Sequence, residues 1–397
     1  MGSHGCTFGL RRDLRIPACG SYDKDKESRN RQSRRRIHAP NRQPGSVVKR
    51  TILFAVVSMP CLGCMGIASA AADWTFIVSG DSRNCGDVVL PSIAAAAHER
   101  RAAFYWHLGD LRWMVEVDED YKAIHPRTNL KHYLGTAWDD FVENQIGPFG
   151  DTPFFVGIGN HETILPGMRS KFVRKFAPWL DVPVLRQQRL LDDPQDVNPH
   201  TYYHWHRDGI DFIYLDNASF LQFDRRQRRW LRRVLQHDAA AADVTAVVVG
   251  MHKALPDSVA AGHSMNESPI GRSTGREVYA QLLDLQRSKP VYVLASHSHY
   301  YMSGIYDTPY WRAHGGVLAG WIVGTGGARR YPLPQELFAN QDHRAHVYGY
   351  LLARVKPAAA ARRIEFSFVE VSEPEVPSPV TQRFGSTLVH QCYAGNP

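Results

Sequence analysis

From Asp73 onward, short runs of β-branched and aromatic residues alternate with longer stretches whose apolar positions recur every three or four residues. The short runs predict strands at 74–79, 103–108, 153–157, 201–206, 210–215, 244–250, 290–295, 320–324 and 346–355. The longer stretches predict helices at 88–101, 137–146, 169–177, 224–236 and 276–287. In 224–236, Trp230, Leu231, Val234 and Leu235 make one apolar stripe. Arg225, Arg226, Arg228, Arg229, Arg232 and Arg233 cover the remainder as a solvated face. Strands separated by helices indicate an α/β sheet protein. The segments 112–136, 178–200 and 254–275 are polar and rich in Pro, Gly or Asp, and read as long loops over one face.

Upstream of this body the pattern changes. Lys49-Arg50 precede an uncharged apolar run from Ile52 to Ile67, and Ala68-Ser69-Ala70 follows. A basic end, a short apolar core and a small-residue site predict a secretory signal over 49–72. The alternative is an uncleaved membrane anchor, although the run is shorter than the ~20 residues a spanning helix needs and contains Pro60 and Gly63. Either reading exports the body, to the periplasm or beyond the cell. Residues 1–48 are polar and Arg-rich, the composition of a disordered leader. A start at Val47 or Val48 would leave an ordinary short basic segment before the apolar run. The organisation expected is therefore a leader (1–48), a signal or anchor (49–72), one domain (73–372) and a C-terminal appendage (373–397).

The leader also explains the charge. The chain carries a net +8, but residues 1–50 hold 13 Lys/Arg against 4 Asp/Glu. The body is left with 34 basic and 35 acidic side chains, so it offers no electrostatic footprint for nucleic acid. After the signal only Cys85 and Cys392 remain, and an oxidising compartment permits them to pair.

Five short motifs end successive predicted strands: Gly80-Asp81-Ser82-Arg83, Gly109-Asp110, Gly159-Asn160-His161-Glu162, Met251-His252 and His297-Ser298-His299. Strand carboxyl ends in an α/β sheet converge on one crevice, so these residues can meet there. Two aspartates and an Asn carbonyl supply hard oxygens and three imidazoles supply nitrogens, a donor set suited to divalent ions. The spacing of two in His297-x-His299 puts both rings on one side of an extended chain, and the glycines let the backbone turn sharply. Any one motif is weak evidence; all five in this order are not.

On these motifs the chain resembles the calcineurin-like metallophosphoesterase superfamily, which includes purple acid phosphatases. The match runs over about residues 74–330 and takes in Asp151-Thr152-Pro153, the strand ending Asp216-Asn217 and the segment Gly324-Thr325-Gly326-Gly327. The resemblance implies an α/β/β/α sandwich in four layers, with two mixed β-sheets face to face and helices outside. It implies two divalent metal ions, with manganese, zinc or iron(II) favoured. Asp81 and His299 would hold the first ion, Asn160, His252 and His297 the second, and Asp110 would bridge them. It further implies that a metal-bound hydroxide attacks phosphorus in line and that His161 stabilises or protonates the leaving oxygen. Glu162 would orient a neighbour.

The pattern departs from the family at two positions. Many members carry a histidine two residues after the first Asp, where this chain has Arg83, and a guanidinium has no lone pair for a metal. The tyrosine ligand of purple acid phosphatases is replaced by Trp113. Arg83, with Asn84 beside it, is expected either to contact a substrate phosphate or to pair with a carboxylate such as Asp81. The function expected is hydrolysis of a phosphomonoester or phosphodiester, with a phosphorylated small molecule as the natural partner. The competing reading is an exported protein that binds metal or a phospho-ligand without turnover.

Overall fold

The computed structural model describes residues 72–165, 167–335, 337, 341–357 and 364–394. The leader and nearly all of the signal segment lie outside these. Among the described residues twelve strands occur in this order: β1 (Trp74–Ser79), β2 (Tyr105–His107), β3 (Phe154–Val156), β4 (Tyr203–Arg207), β5 (Ile210–Leu215), β6 (Ala246–Met251), β7 (Val291–Ala295), β8 (Tyr301–Ser303), β9 (Ala319–Val323), β10 (His343–Arg344), β11 (Tyr348–Val355) and β12 (Ile364–Val371). They form two mixed sheets. One has the order β12-β11-β1-β2-β3, and the other β10-β8-β9-β7-β6-β5-β4. β1, β2 and β3 run parallel, as do β5, β6, β7 and β9, while antiparallel pairing occurs at the β11–β12 edge of the first sheet and at both edges of the second. The fold is the two-sheet α/β class expected from the motifs.

The strands are apolar on both faces because both faces are buried. In β5, Phe212 and Tyr214 point into the space between the sheets, whereas Ile213 and Leu215 point to the outer helices. β6 divides in the same way, Ala246 and Val248 inward, Val247 and Val249 outward. The layer between the sheets is largely aromatic. Phe76 and Phe104 meet Phe212 at 5.2 Å each, Phe155 stacks on Trp205 at 4.1 Å, and Trp321 meets Phe366 at 4.4 Å. Such pairs add about 0.5–1.5 kcal/mol each beyond the area they bury.

The helices are α1 (Gly86–Glu99), α2 (Glu119–Ile124), α3 (Leu130–Phe141), α4 (Arg169–Lys175), α5 (Ala177–Leu180), α6 (Pro183–Asp192), α7 (Arg225–Ala240), α8 (Pro269–Gln286), α9 (Pro309–Ala313), α10 (Ser378–Phe384) and α11 (Ser386–Ala394). In α7 the expected stripe is buried through Leu231, Val234 and Leu235, and Asp224 caps the helix by accepting from the Gln227 N–H at 2.8 Å. All three segments read as loops contain helix. α2 and the start of α3 lie in 112–136, α5 and α6 in 178–200, and α8 begins at Pro269. α6 escapes the periodicity test because it buries only Leu185, leaving Val184 and Leu191 exposed. β8 and β12 also fall outside the expected strands, though Ile364, Phe366 and Phe368 alternate with period two.

One buried feature gave no sequence signal. Arg112 is fully buried two residues after Asp110, and its guanidinium meets Asp87 at 2.5 Å, Asp120 at 3.2 Å, Asp118 at 3.5 Å and Asp140. It ties the loop after β2 to α1, α2 and α3. Cys85 and Cys392 form a disulfide with a Cα–Cα separation of 6.0 Å, joining the residue before α1 to α11. Among the described residues no helix is long and apolar enough to cross a membrane.

Candidate metal centre

The five motifs meet in one crevice at the carboxyl ends of β1, β2, β3, β6 and β7. The loops after β1 and β2 are bonded to each other, Asp81 N–H to Gly109 O at 2.9 Å and Ser82 N–H to Asp110 O at 3.0 Å. Asp81, Asp110 and His297 all adopt left-handed backbone, with φ of 58°, 57° and 67°. Non-glycine residues there cost about 1–3 kcal/mol each and persist where the surroundings over-determine them. The sharp turns are thus made at the candidate ligands themselves. Gly80 serves close approach instead, since a Cβ there would lie 2.6 Å from Ser296 Oγ.

The left-handed turn at His297 also revises the expected geometry of His297-x-His299. The chain is not extended there, and the two rings diverge. His297 Nδ1 faces His252 Nε2 at 3.1 Å, whereas His299 Nε2 faces Asp81 Oδ1 at 3.3 Å.

Each imidazole is tethered through its other nitrogen. His252 Nδ1 lies 3.1 Å from Leu108 O, His299 Nδ1 lies 2.5 Å from Arg329 O, and His297 Nε2 lies 3.1 Å from Glu267 Oε1. An acceptor at one nitrogen fixes the proton there and leaves the other lone pair aimed into the crevice. Asp110 Oδ1 is 3.3 Å from His252 Nε2, and Asn160 Oδ1 is 2.9 Å from the same nitrogen. Meanwhile Asp81 Oδ1 and Asp110 Oδ2 are buried with no hydrogen-bond partner. Imidazole nitrogens and carboxylate oxygens gathered in one buried crevice suit a cation between them.

The donors fit an ion better on one side than the other. Ligand atoms of Asp110, His252 and His297 lie within 4.8 Å of one another, with Asn160 completing the set. On the other side Arg83 reaches in. Its Nη2 donates to His299 Nε2 at 2.9 Å and its Nη1 contacts the His161 ring. Arg83 therefore pairs with neither Asp81 nor another carboxylate, and a cation already occupies the position facing His299.

Electrostatics follow from burial. Burial works to raise Asp110, but His252 and His161 outweigh it and hold the carboxyl well below the usual range. Burial brings both His161 and His297 down to about 4, so both rings are neutral at pH 7. Glu162, fully buried, is pushed up to about 7 by burial and by Asp110. Its carboxylate accepts from Gly159 N–H at 2.7 Å and from the N–H groups of Asp110 and Leu111 at 3.0 Å each. It locks the loop after β3 to the loop after β2.

Asn84 is turned to other work: its Nδ2 donates to Glu119 Oε2 at 2.7 Å and its Oδ1 accepts from Arg329 N–H at 3.3 Å. Tyr300 and Tyr301 are core residues, Tyr301 stacking on Phe368 at 4.4 Å. Four further contributors belong to none of the five motifs read as the site. Glu267 and Arg329 O hold the two divergent histidines, Tyr331 stacks on His299 at 4.0 Å, and Lys253 pairs with Glu267. Of these only Glu267 lies in a segment, 254–275, that the sequence marks as a long loop over one face.

No family model matches the sequence, and no curated protein matches it. Solved structures resembling the chain include a purple acid phosphatase from yellow lupin (Lupinus luteus) seeds, at 14% identity and a TM-score of 0.49, covering 77% of this chain and 55% of its own. PhoD aligns at 15% identity and 0.49, over 73% of this chain and 65% of its own. A dimetal phosphatase from Danio rerio aligns at 13% and 0.42, over 70% and 92%. The chain thus spans little more than half the length of the lupin enzyme. The likeness is one of fold.

Proposed function

We propose that the chain is a metal-dependent phosphoester hydrolase of the calcineurin-like kind. The observation that carries this reading is the convergence of three tethered imidazole lone pairs on two unpartnered carboxylate oxygens, with Arg83 and His161 beside them. Asp110, Asn160, His252 and His297 would hold one divalent ion. Asp81, Asp110 and His299 would hold a second, which has to displace Arg83 from His299 Nε2. Bound there, divalent ions polarise phosphoryl oxygens and lower the pKa of water. The chain's own residues do the rest. Arg83 turns from the histidines to a phosphoryl oxygen, a charge-assisted contact no neutral residue there could make. His161, whose backbone N–H donates to Asp110 Oδ1 at 2.9 Å, offers the ring hydrogen of its neutral imidazole to the leaving oxygen. Export is part of the proposal, and the Cys85–Cys392 bond supports an oxidising compartment.

The grip of Arg83 on His299 favours one competing reading, a phospho-ligand binder without turnover. Reconstitution with manganese, zinc or iron(II), followed by aryl phosphate and diaryl phosphate hydrolysis, separates the two. The hydrolase reading expects metal-dependent turnover that falls by about 10²–10⁴-fold in His161→Ala with metal content unchanged. Bound metal without turnover would leave the binder; no bound metal would remove both.

A further inference from the structure

Beside the crevice lies a cleft of about 920 Å³, within the range of small-molecule sites. Its walls include Leu165, Met168, Val173, Tyr202, Phe220 and Leu221. Leu165 is 79% exposed, Phe220 72%, Met168 49% and Leu221 45%. Large apolar side chains gathered round one concavity and left open to water mark a binding surface. The backbone adds a second cost, because Phe220 and Leu221 are consecutive non-glycine residues at φ of 59° and 54°. Their turn is held by the Asp216 carboxylate, which accepts from Ser219 N–H at 2.9 Å, Ser219 Oγ at 2.8 Å and Thr201 Oγ1 at 2.5 Å. A strained turn, firmly braced, that pushes a phenyl ring into solvent calls for a ligand.

Three anchors tie this cleft to one half of the metal centre. Thr163 Oγ1 donates to Asn160 O at 2.8 Å. Asn217, just before the strained turn, bonds Lys253 O at 2.6 Å and Lys253 N–H at 3.0 Å, one residue after His252. Leu221 O accepts from Ser268 Oγ at 3.3 Å, one residue after the Glu267 that holds His297. The cleft is therefore anchored to the half formed by Asn160, His252 and His297.

We infer that the ester cleaved here has an apolar leaving group, a long alkyl chain or comparable hydrocarbon, and that this group lies in the cleft. The inference rests on the hydrolase reading above. Water supplies the new P–O bond, the P–O bond to the apolar alcohol breaks, the alcohol leaves with a proton, and the phosphate remains behind.

The test pairs binding with turnover. Decylphosphonate and methylphosphonate, which have no ester bond to cleave, are titrated calorimetrically into the metal-loaded full chain, and phosphate release is followed from decyl and methyl phosphate. Burial of as few as about two methylenes should make decylphosphonate bind at least about tenfold more tightly than methylphosphonate, and the Leu165→Ser/Phe220→Asn double variant should narrow that ratio to about threefold or less. Both substituted side chains are exposed, and asparagine tolerates the left-handed backbone at 220, so the variant should keep the wild-type melting temperature and metal content. Equal binding of the two phosphonates, or a ratio the variant leaves intact, overturns the inference. So does a wild-type dimer that the variant dissolves in sedimentation, which would assign the patch to a second copy. Failure of the hydrolase reading shows differently: no ester is turned over, yet decylphosphonate still binds through its chain, and the cleft stands as the apolar half of a phospho-ligand site.

Discussion

Arg83 hydrogen-bonds to the His299 nitrogen that would otherwise serve as a ligand, so the two halves of the centre should load unequally. The half with Asp110, Asn160, His252 and His297 has its donors together and should retain an ion through dialysis. The half with Asp81 and His299 should fill only at excess metal. Arg83→His removes the competing cation and offers a further imidazole, and elemental analysis after dialysis should rise from one equivalent to two. A wild-type protein that already retains two would show that Arg83 does not compete. Glu162 makes the opposite case, a residue that touches no ligand site directly yet sets its shape. Glu162→Gln places an amide N–H₂ against at least one of three backbone N–H groups, leaving a buried donor unpaired. Losses of this kind behind a metal ligand typically weaken metal affinity by about 10–100-fold. Titration with a chelator of known strength measures it, and unchanged affinity would mean the loops hold without that carboxylate.

Elements are joined by ion pairs as well as by apolar layers, and one pair carries a pH signature. His204 on β4 bonds Asp211 on β5 through Nδ1 at 2.8 Å and Asp192 at the end of α6 through Nε2 at 2.7 Å. Burial works to lower this imidazole, but Asp211 and Asp192 outweigh it and push it up to about 10. In the unfolded chain it titrates near ~6.5. The folded value is the higher, so its stabilisation is complete below that pH and is lost as pH rises through about 10. His204→Asn should therefore cost about 3–5 kcal/mol near pH 6, as for a broken buried pair, and progressively less toward pH 10. Urea midpoints across that range check it; a constant gap between wild type and variant would refute the coupling. Neither this pair nor the Arg112 hub was legible in the sequence, because both join residues that only the fold brings together. The strands were legible because burial on two faces leaves unbroken apolar runs, as in Val247-Val248-Val249. The candidate ligands were legible because each follows such a run. Glu267 and the Arg329 carbonyl were not, since a tether needs only an acceptor in reach and has no spacing of its own. α6 was hidden by its exposed apolar residues, and the extended reading of His297-x-His299 failed because one left-handed residue redirects the second ring.

Across the whole molecule, the C-terminal tail folds back onto the turn after β1. Cys85 lies two residues after Arg83, and Cys392 lies 307 residues further on in α11. The tail has other holds: Val389 is buried in the main core, Arg383 Nη1 donates to Asn144 Oδ1 at 2.6 Å, and Arg330 Nη1 donates to Tyr393 O at 3.0 Å. The turn carrying Arg83 is likewise braced without the sulfur, since Cys85 N–H is bonded to Gly327 O at 3.1 Å and Asn84 N–H to Asp118 Oδ1 at 2.9 Å. The cross-link should thus act on the unfolded chain far more than on the shape of the site. Closing so long a loop is worth about 2–4 kcal/mol. Cys392→Ser should lower the melting temperature by several degrees while leaving metal content and ester turnover at 25 °C as in the wild type. Dithiothreitol should lower the wild-type melting temperature and leave the variant's unmoved. If turnover instead fell with Cys392→Ser at a temperature where the protein remains folded, the tail would be positioning Arg83, and the first half of the metal centre would depend on the far end of the chain.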